Sequence, residues 1–180
     1  MAAAVVVVIA VAARTAAPPG VESPAAQPPA ASEDRVKGIG SALALYRRTA
    51  EGSETLADGA IARKGDLIRV GYRAAGRSYG AIVSIDGGGS VTMHLPPAGD
   101  RAAPLKREPT VLLEEAYELD DAPLWERFYF IAGDAPFEMA PVMHAAREAA
   151  ARTPRLPPAG LALPRGLQQS NFTLQKESRP

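Results

Sequence analysis

The sequence predicts a mainly β protein: an antiparallel β-sandwich or partly open barrel with one C-terminal helix. Three observations predict it. Apolar residues over 67–95 recur with period two, the spacing of half-buried strands. Glycine-bearing turn signals separate these runs at short intervals. Strong helix formers gather in a single stretch, 141–152.

Taken in order, ALALYRR (42–48) reads as a first strand, ended by the turn Glu51-Gly52-Ser53. Leu56-Ala57-Asp58-Gly59 and Lys64-Gly65-Asp66 are two further turns. In DLIRVGYRA, Ile68, Val70 and Tyr72 alternate with Arg69, Gly71 and Arg73, giving one apolar and one wet face. In SYGAIVSID, Tyr79, Ala81, Val83 and Ile85 share one face, with Gly80, Ile82 and Ser84 on the other. The short turn Ala75-Gly76-Arg77 between them predicts a hairpin. Asp86-Gly87-Gly88-Gly89 predicts a second hairpin into SVTMHLP, with Val91, Met93 and Leu95 inward and Thr92 and His94 outward. TVLLEEAYEL (110–119) fits either a strand or a helix. WERFYFIAG (125–133) is an aromatic strand with Trp125 and Phe130 as core anchors. PVMHAAREAAAR (141–152) opens with a proline suited to a first helical turn and is closed by Pro154.

The chain divides into four parts. Residues 1–14 hold twelve uncharged apolar residues at 2–13. As a helix they span about 18 Å, against a hydrocarbon core of about 30 Å. They read as a truncated membrane span or a signal-like segment. Residues 15–34 are a Pro/Ala-rich linker suited to a stiff stalk. Residues 35–153 form the β-rich globular domain and carry nine of the ten aromatic residues. Residues 154–180 are a Pro-rich basic tail, whose Leu163, Leu167, Phe172 and Leu174 suffice to add one strand or lie along the domain. The flank 15–34 holds three acids and no Lys or Arg, which favours an extracytoplasmic location, since cytoplasmic flanks carry excess positive charge.

Composition narrows the chemistry. Twenty basic and twenty acidic residues leave a net charge of zero, which argues against a nucleic-acid partner. There is no cysteine, so thiolate metal sites and cysteine nucleophiles are excluded. Two histidines cannot build a three-histidine metal centre. Asp86-Gly87-Gly88-Gly89 lacks the Lys-Ser/Thr ending of a phosphate loop. The acidic run Glu114, Glu115, Glu118, Asp120, Asp121 and Glu126 fits no calcium loop and reads as a solvated rim, meeting the basic tail. His94 has no nucleophile or orienting carboxylate beside it in sequence, and His144, beside Met143 and Ala145 in the expected helix, reads as a surface or half-buried residue. No catalytic, metal or cofactor residue is assigned, and no cofactor is expected.

The phrases GDLIRVGYRA, YGAIVSIDGGGSVTMHLP and ERFYFIAGDAPFEMAPV, with LYRR before them, resemble a bacterial envelope domain family of unknown function, over about residues 38–152. The domain is found in ActD-like and anti-sigma-like single-span proteins, and attached to kinases or caspase-like peptidases. The resemblance implies a sensing, scaffolding or interaction module and brings no catalytic residues. The combined expectation is a membrane-tethered, extracytoplasmic, non-catalytic binding or sensing module in the cell envelope. It would touch the membrane through its N-terminal segment and have a protein partner, with an anti-sigma-like regulator as one setting. Arginines and aromatics are favoured at interface hot spots, so Arg69, Arg73, Trp125 and Tyr129 are the candidate partner surface. The alternative is a small β-sandwich hydrolase acting on an envelope polymer, with Asp66, Asp86 and Glu126 as its carboxylates.

Overall fold

The structure, a computed structural model, describes residues 40–152 and 155–177. The apolar segment 1–14 and the linker 15–34 lie outside the described residues. Among the described residues no helix is long and apolar enough to cross a membrane.

The chain is mainly β and folds as a sandwich of two sheets, with one helix against the outer side of the second. The strands are β1 (Ala42–Thr49), β2 (Gly52–Thr55), β3 (Ile61–Ala62), β4 (Leu67–Arg73), β5 (Tyr79–Asp86) and β6 (Val91–Leu95). They continue with β7 (Ala103–Pro104), β8 (Val111–Glu118), β9 (Trp125–Gly133) and, after α1 (Met139–Arg152), β10 (Gln168–Lys176). The first sheet runs β2-β1-β4-β8 and is antiparallel throughout. The second runs β3-β10-β9-β5-β6, with β7 also on β5. Only the short β3–β10 pair is parallel among the described pairings.

Two apolar layers hold the sheets and helix together. Between the sheets lie Leu45, Ile68, Val70 and Tyr72 from the first, against Ile82, Phe128, Phe130, Phe172 and Leu174 from the second. Between the second sheet and α1 lie Val83, Ile85, Trp125, Tyr129 and Ile131, against Met139, Val142, Ala145 and Ala146. Strands β5 and β9 are therefore covered on both faces, which is why their sequences are apolar at almost every position. Burying each of Phe128 and Phe130 stabilises the fold by about 1.5–3 kcal/mol. Both are fully buried, so Phe130 anchors the core as its sequence predicts.

The double burial also corrects a sequence expectation. β4 and β5 do not form a hairpin. β4 pairs with β1 and β8, whereas β5 pairs with β6, β7 and β9. The turn at Ala75-Gly76, where both residues have positive φ, carries the chain from one sheet to the other. The physical reason is supply of cover: β4 has one apolar face, but β5 has two and needs a layer on each side. The second expected hairpin forms, and β5 and β6 are antiparallel neighbours. Asp86 Oδ1 accepts the N–H groups of Gly88 and Ser90 at 2.8 Å each, and Gly89 takes φ 88°.

The stretch 110–119, open between strand and helix, is a strand. It pairs with β4 through a bulge: Arg69 faces Ala116, but Gly71 faces Leu112. The stretch 154–180 is not merely a tail, since β10 lies inside the second sheet between β3 and β9. The helix begins two residues before the expected Pro141 and ends at Arg152 as expected.

Close approach demands glycine at position 80. A Cβ there would meet Leu105 Cδ2 and Phe130 Cε2 at 2.8 Å each. Gly80→Ala is expected to cost about 1–3 kcal/mol by overpacking. Urea denaturation checks this, and an unchanged midpoint would refute it.

Candidate functional site

The expected partner surface separates into two pairs. Trp125 and Tyr129 are corrected: they are 2% and 0% exposed, beneath α1, and present no surface. Strand β9 is central and covered on both sides, so its aromatics become core whichever way they face. Tyr129 Oη donates to the Pro158 carbonyl at 2.6 Å, fixing the segment after the helix, and burial pushes its phenol up to about 12. Arg69 and Arg73 do stand on the outer face of the first sheet, as their alternation with Ile68, Val70 and Tyr72 requires.

That outer face has a defined composition. Along β4 it reads Leu67, Arg69, Gly71, Arg73. The register places Tyr46 of β1 opposite Arg69, and Leu112 of β8 opposite Gly71. A Cβ on Gly71 would come 3.0 Å from Leu112 Cδ2, so the glycine gives Leu112 its seat. Leu112 remains 42% exposed. Tyr46, Arg48, Leu67, Arg69, Leu112 and Glu114 line a groove of about 490 Å³ there.

Arg69 also has a structural task that sequence reasoning missed. Its Nε donates to the Leu113 carbonyl at 2.9 Å and its Nη2 to the Glu114 carbonyl at 3.4 Å. Those carbonyls belong to the bulged stretch of β8, where the strand ladder is interrupted. The guanidinium supplies donors that β4 cannot, and is thereby held in one place on the face. Arg73 is held in part by its Nε–H to the Gly40 carbonyl at 3.4 Å.

A second polar cluster lies between the sheets, where β6 and β8 form neighbouring edges. The sequence pattern puts His94 outward; the structure turns it inward, which is a correction. The β5–β6 register shifts between Ile82↔Leu95 and Val83↔Met93, leaving His94 as the extra residue of a bulge. Val91 and Met93 pack into the layer beneath α1, so the opposite face of β6 looks into the space between the sheets and sets His94 against Tyr117 and Phe128, at ring-centroid distances of 5.0 and 5.3 Å; the bulge brings Leu95 to that same side. His94 Nε2 is 2.9 Å from Ser84 Oγ. Ser84 Oγ donates to Glu126 Oε1 at 3.1 Å. Lys176 Nζ lies 3.4 Å from Glu126 Oε2 and donates to the carbonyl and Oδ1 of Asp120 at 3.1 and 3.2 Å.

The electrostatics follow from burial. The His94 imidazole is held down at about 4, because desolvation disfavours its cation. Burial pushes the Glu126 carboxyl up, opposed by Lys176 and by hydrogen bonds from Ser84 and Tyr117. Burial and the Glu126 charge together push the Tyr117 phenol up. Glu126, expected on a solvated rim, is fully buried. The meeting of the acidic run with the C-terminal stretch does occur, through Lys176.

The three carboxylates of the hydrolase alternative have separate duties. Asp66 accepts from Arg47 Nη1 at 3.0 Å, and Asp86 caps its own turn. Asp86 and Glu126 are cross-strand partners, both nearly inaccessible, and neither lines the groove on the first sheet or the one beside α1. Ser84, 1% exposed, has His94 on one side and Glu126 on the other, so the histidine is not oriented by the carboxylate as a nucleophilic triad requires. Among the described residues no three His, Asp or Glu side chains gather where they would hold a metal ion.

No family model matches the chain, and neither a curated protein nor a solved structure matches it.

Proposed function

We propose that the chain is a membrane-tethered, extracytoplasmic binding or sensing module that does no chemistry of its own. Its partner surface is the outer face of the β2-β1-β4-β8 sheet. One observation carries the reading. On that face the Arg48 and Arg69 guanidiniums stand beside exposed apolar side chains, Leu112 among them, over a groove. Neither arginine makes an ion pair with a carboxylate among the described residues. Unneutralised arginine beside apolar surface is the composition of interface hot spots. The tether and the location rest on the apolar segment, the proline-rich linker and the likeness to envelope domains, with an anti-sigma-like regulator as the setting that likeness favours.

A photo-crosslinking side chain at position 112, in the native cell, tests the surface. The expected result is a discrete adduct that Arg48→Glu abolishes while leaving thermal stability unchanged. An adduct indifferent to Arg48→Glu, or one obtained only from position 148 on α1, would sink the assignment. Fractionation tests the location, and recovery of the chain solely from cytosol would remove the tether.

A further inference from the structure

We infer that the outer face of the first sheet binds an extended segment of a partner protein with the pattern apolar-x-acid-x-apolar, laid along β4. The inference rests on the surface assignment above and adds what occupies it. The pattern is read from the strand. The outward positions of β4 are Leu67, Arg69 and Gly71, the last overlaid by Leu112. They present apolar, cationic and apolar ground at successive steps of about 6.6 Å, two residues of a strand. An extended segment repeats at the same step, so its alternate side chains stay in register with these positions.

Charge complementarity selects the central residue. Tyr46 is the cross-strand partner of Arg69, and Arg48 lies two residues beyond Tyr46 on β1. Arg48 is thus the diagonal neighbour of Arg69, a separation of about 7–8 Å that long side chains span. A carboxylate between them accepts from both guanidiniums. Arg69 is pre-set for this by the Leu113 and Glu114 carbonyls, which hold Nε and Nη2 and leave Nη1 with no hydrogen bond among the described residues. The face's own acids, Glu114 and Glu118, make no ion pair with either arginine. Tyr46 and Leu67 wall the site, and both are half-buried.

The test is a titration of the isotope-labelled full chain, followed by amide chemical shifts. The probes are three peptides: Ac-Leu-Thr-Glu-Thr-Val-amide, the same peptide with lysine for glutamate, and the shifted Ac-Leu-Thr-Thr-Glu-Val-amide. The first is expected to move amides of β1, β4 and β8 and to bind about tenfold tighter than either other peptide, a difference of about 1.4 kcal/mol. Arg48→Ala, at an exposed site outside the core, is expected to erase that preference without changing the fold. Equal binding of the two glutamate peptides on this face overturns the proposed pattern and leaves the surface assignment standing. Shifts confined to the groove beside α1, or none at millimolar peptide, overturn the pattern as well. Crosslinking at position 112 then decides separately whether the surface assignment survives.

Discussion

Lys176→Met is expected to destabilise the protein by about 3–5 kcal/mol at neutral pH, among the largest effects of any single substitution in the chain. The side chains of Lys176 and Glu126 are 4% and 1% exposed, with Nζ 3.4 Å from Oε2. Removing the ammonium leaves a carboxylate buried between the sheets, with the Ser84 hydroxyl on Oε1 and no hydrogen bond on Oε2 among the described residues. Methionine matches the length of the lysine stem, so the loss measured is that of the charge rather than of packing. Two signatures separate this from ordinary core damage. The deficit shrinks on acidification, because a protonated Glu126 no longer needs a cation. The double variant Lys176→Met with Glu126→Leu recovers most of the loss, because a buried pair replaced by apolar groups is close to neutral. Urea denaturation of both single variants and the double provides the cycle. Additive losses would show that the two side chains do not depend on one another.

The same pair explains why the C-terminal stretch is hard to read from sequence. Residues 168–176 carry four polar side chains before Phe172, and nothing in QQSN announces a central strand. Their partners are distant: Gln169 exchanges hydrogen bonds with the Leu161 backbone, Thr173 N–H reaches Asp58, and Lys176 reaches Asp120. Polar residues such as Gln169, Thr173 and Lys176 are acceptable there because they find partners, but the partners lie on other elements and leave no local periodicity. By contrast, β1, β5, β6 and β9 are announced by apolar runs and glycine turns, which act within a few residues. What local pattern does not specify is which sheet a strand joins. The period-two pattern of β4 and the two-faced pattern of β5 look like hairpin partners until the helix claims the second face of β5. Sequence places Arg69 and Arg73 on an exposed face because one-sided alternation is a local signal. It misplaces Trp125 and Tyr129 because a partner surface and a helix-covered core require the same aromatic residues. It misplaces His94 because β6 is covered on both faces: the side opposite Val91 and Met93, which alternation leaves for solvent, looks into the space between the sheets.

That burial makes the acid stability of the fold depend on His94. In the unfolded chain the imidazole takes a proton near pH 6.5, whereas in the folded chain burial delays protonation to about 4. Between these values the unfolded state binds more protons than the folded state, so stability falls as pH falls. Above pH 6.5 the effect is absent, and by pH 4 it has removed about 3 kcal/mol. Glu126 acts in the opposite sense. Its raised folded pKa means that the folded state takes up its proton first, which returns some stability on the same descent. The remaining neighbours of the imidazole are Ser84, Tyr117 and the Phe128 ring, and none of these changes charge in this window. Asp86 and Lys176 lie farther along the same cluster, at its turn and its C-terminal end. His94→Gln keeps a hydrogen-bonding group toward Ser84 and removes the titration. Its loss of stability between pH 7 and pH 4 is expected to be smaller than that of the parent by about 3 kcal/mol, even where its stability at pH 7 is somewhat lower. Urea midpoints at the two pH values measure the difference. Parallel pH profiles for the two proteins would mean that the ring titrates as it does in water, and that the space between the sheets does not bury it as described. The size of the difference therefore measures how tightly the edges of β6 and β8 close over the imidazole.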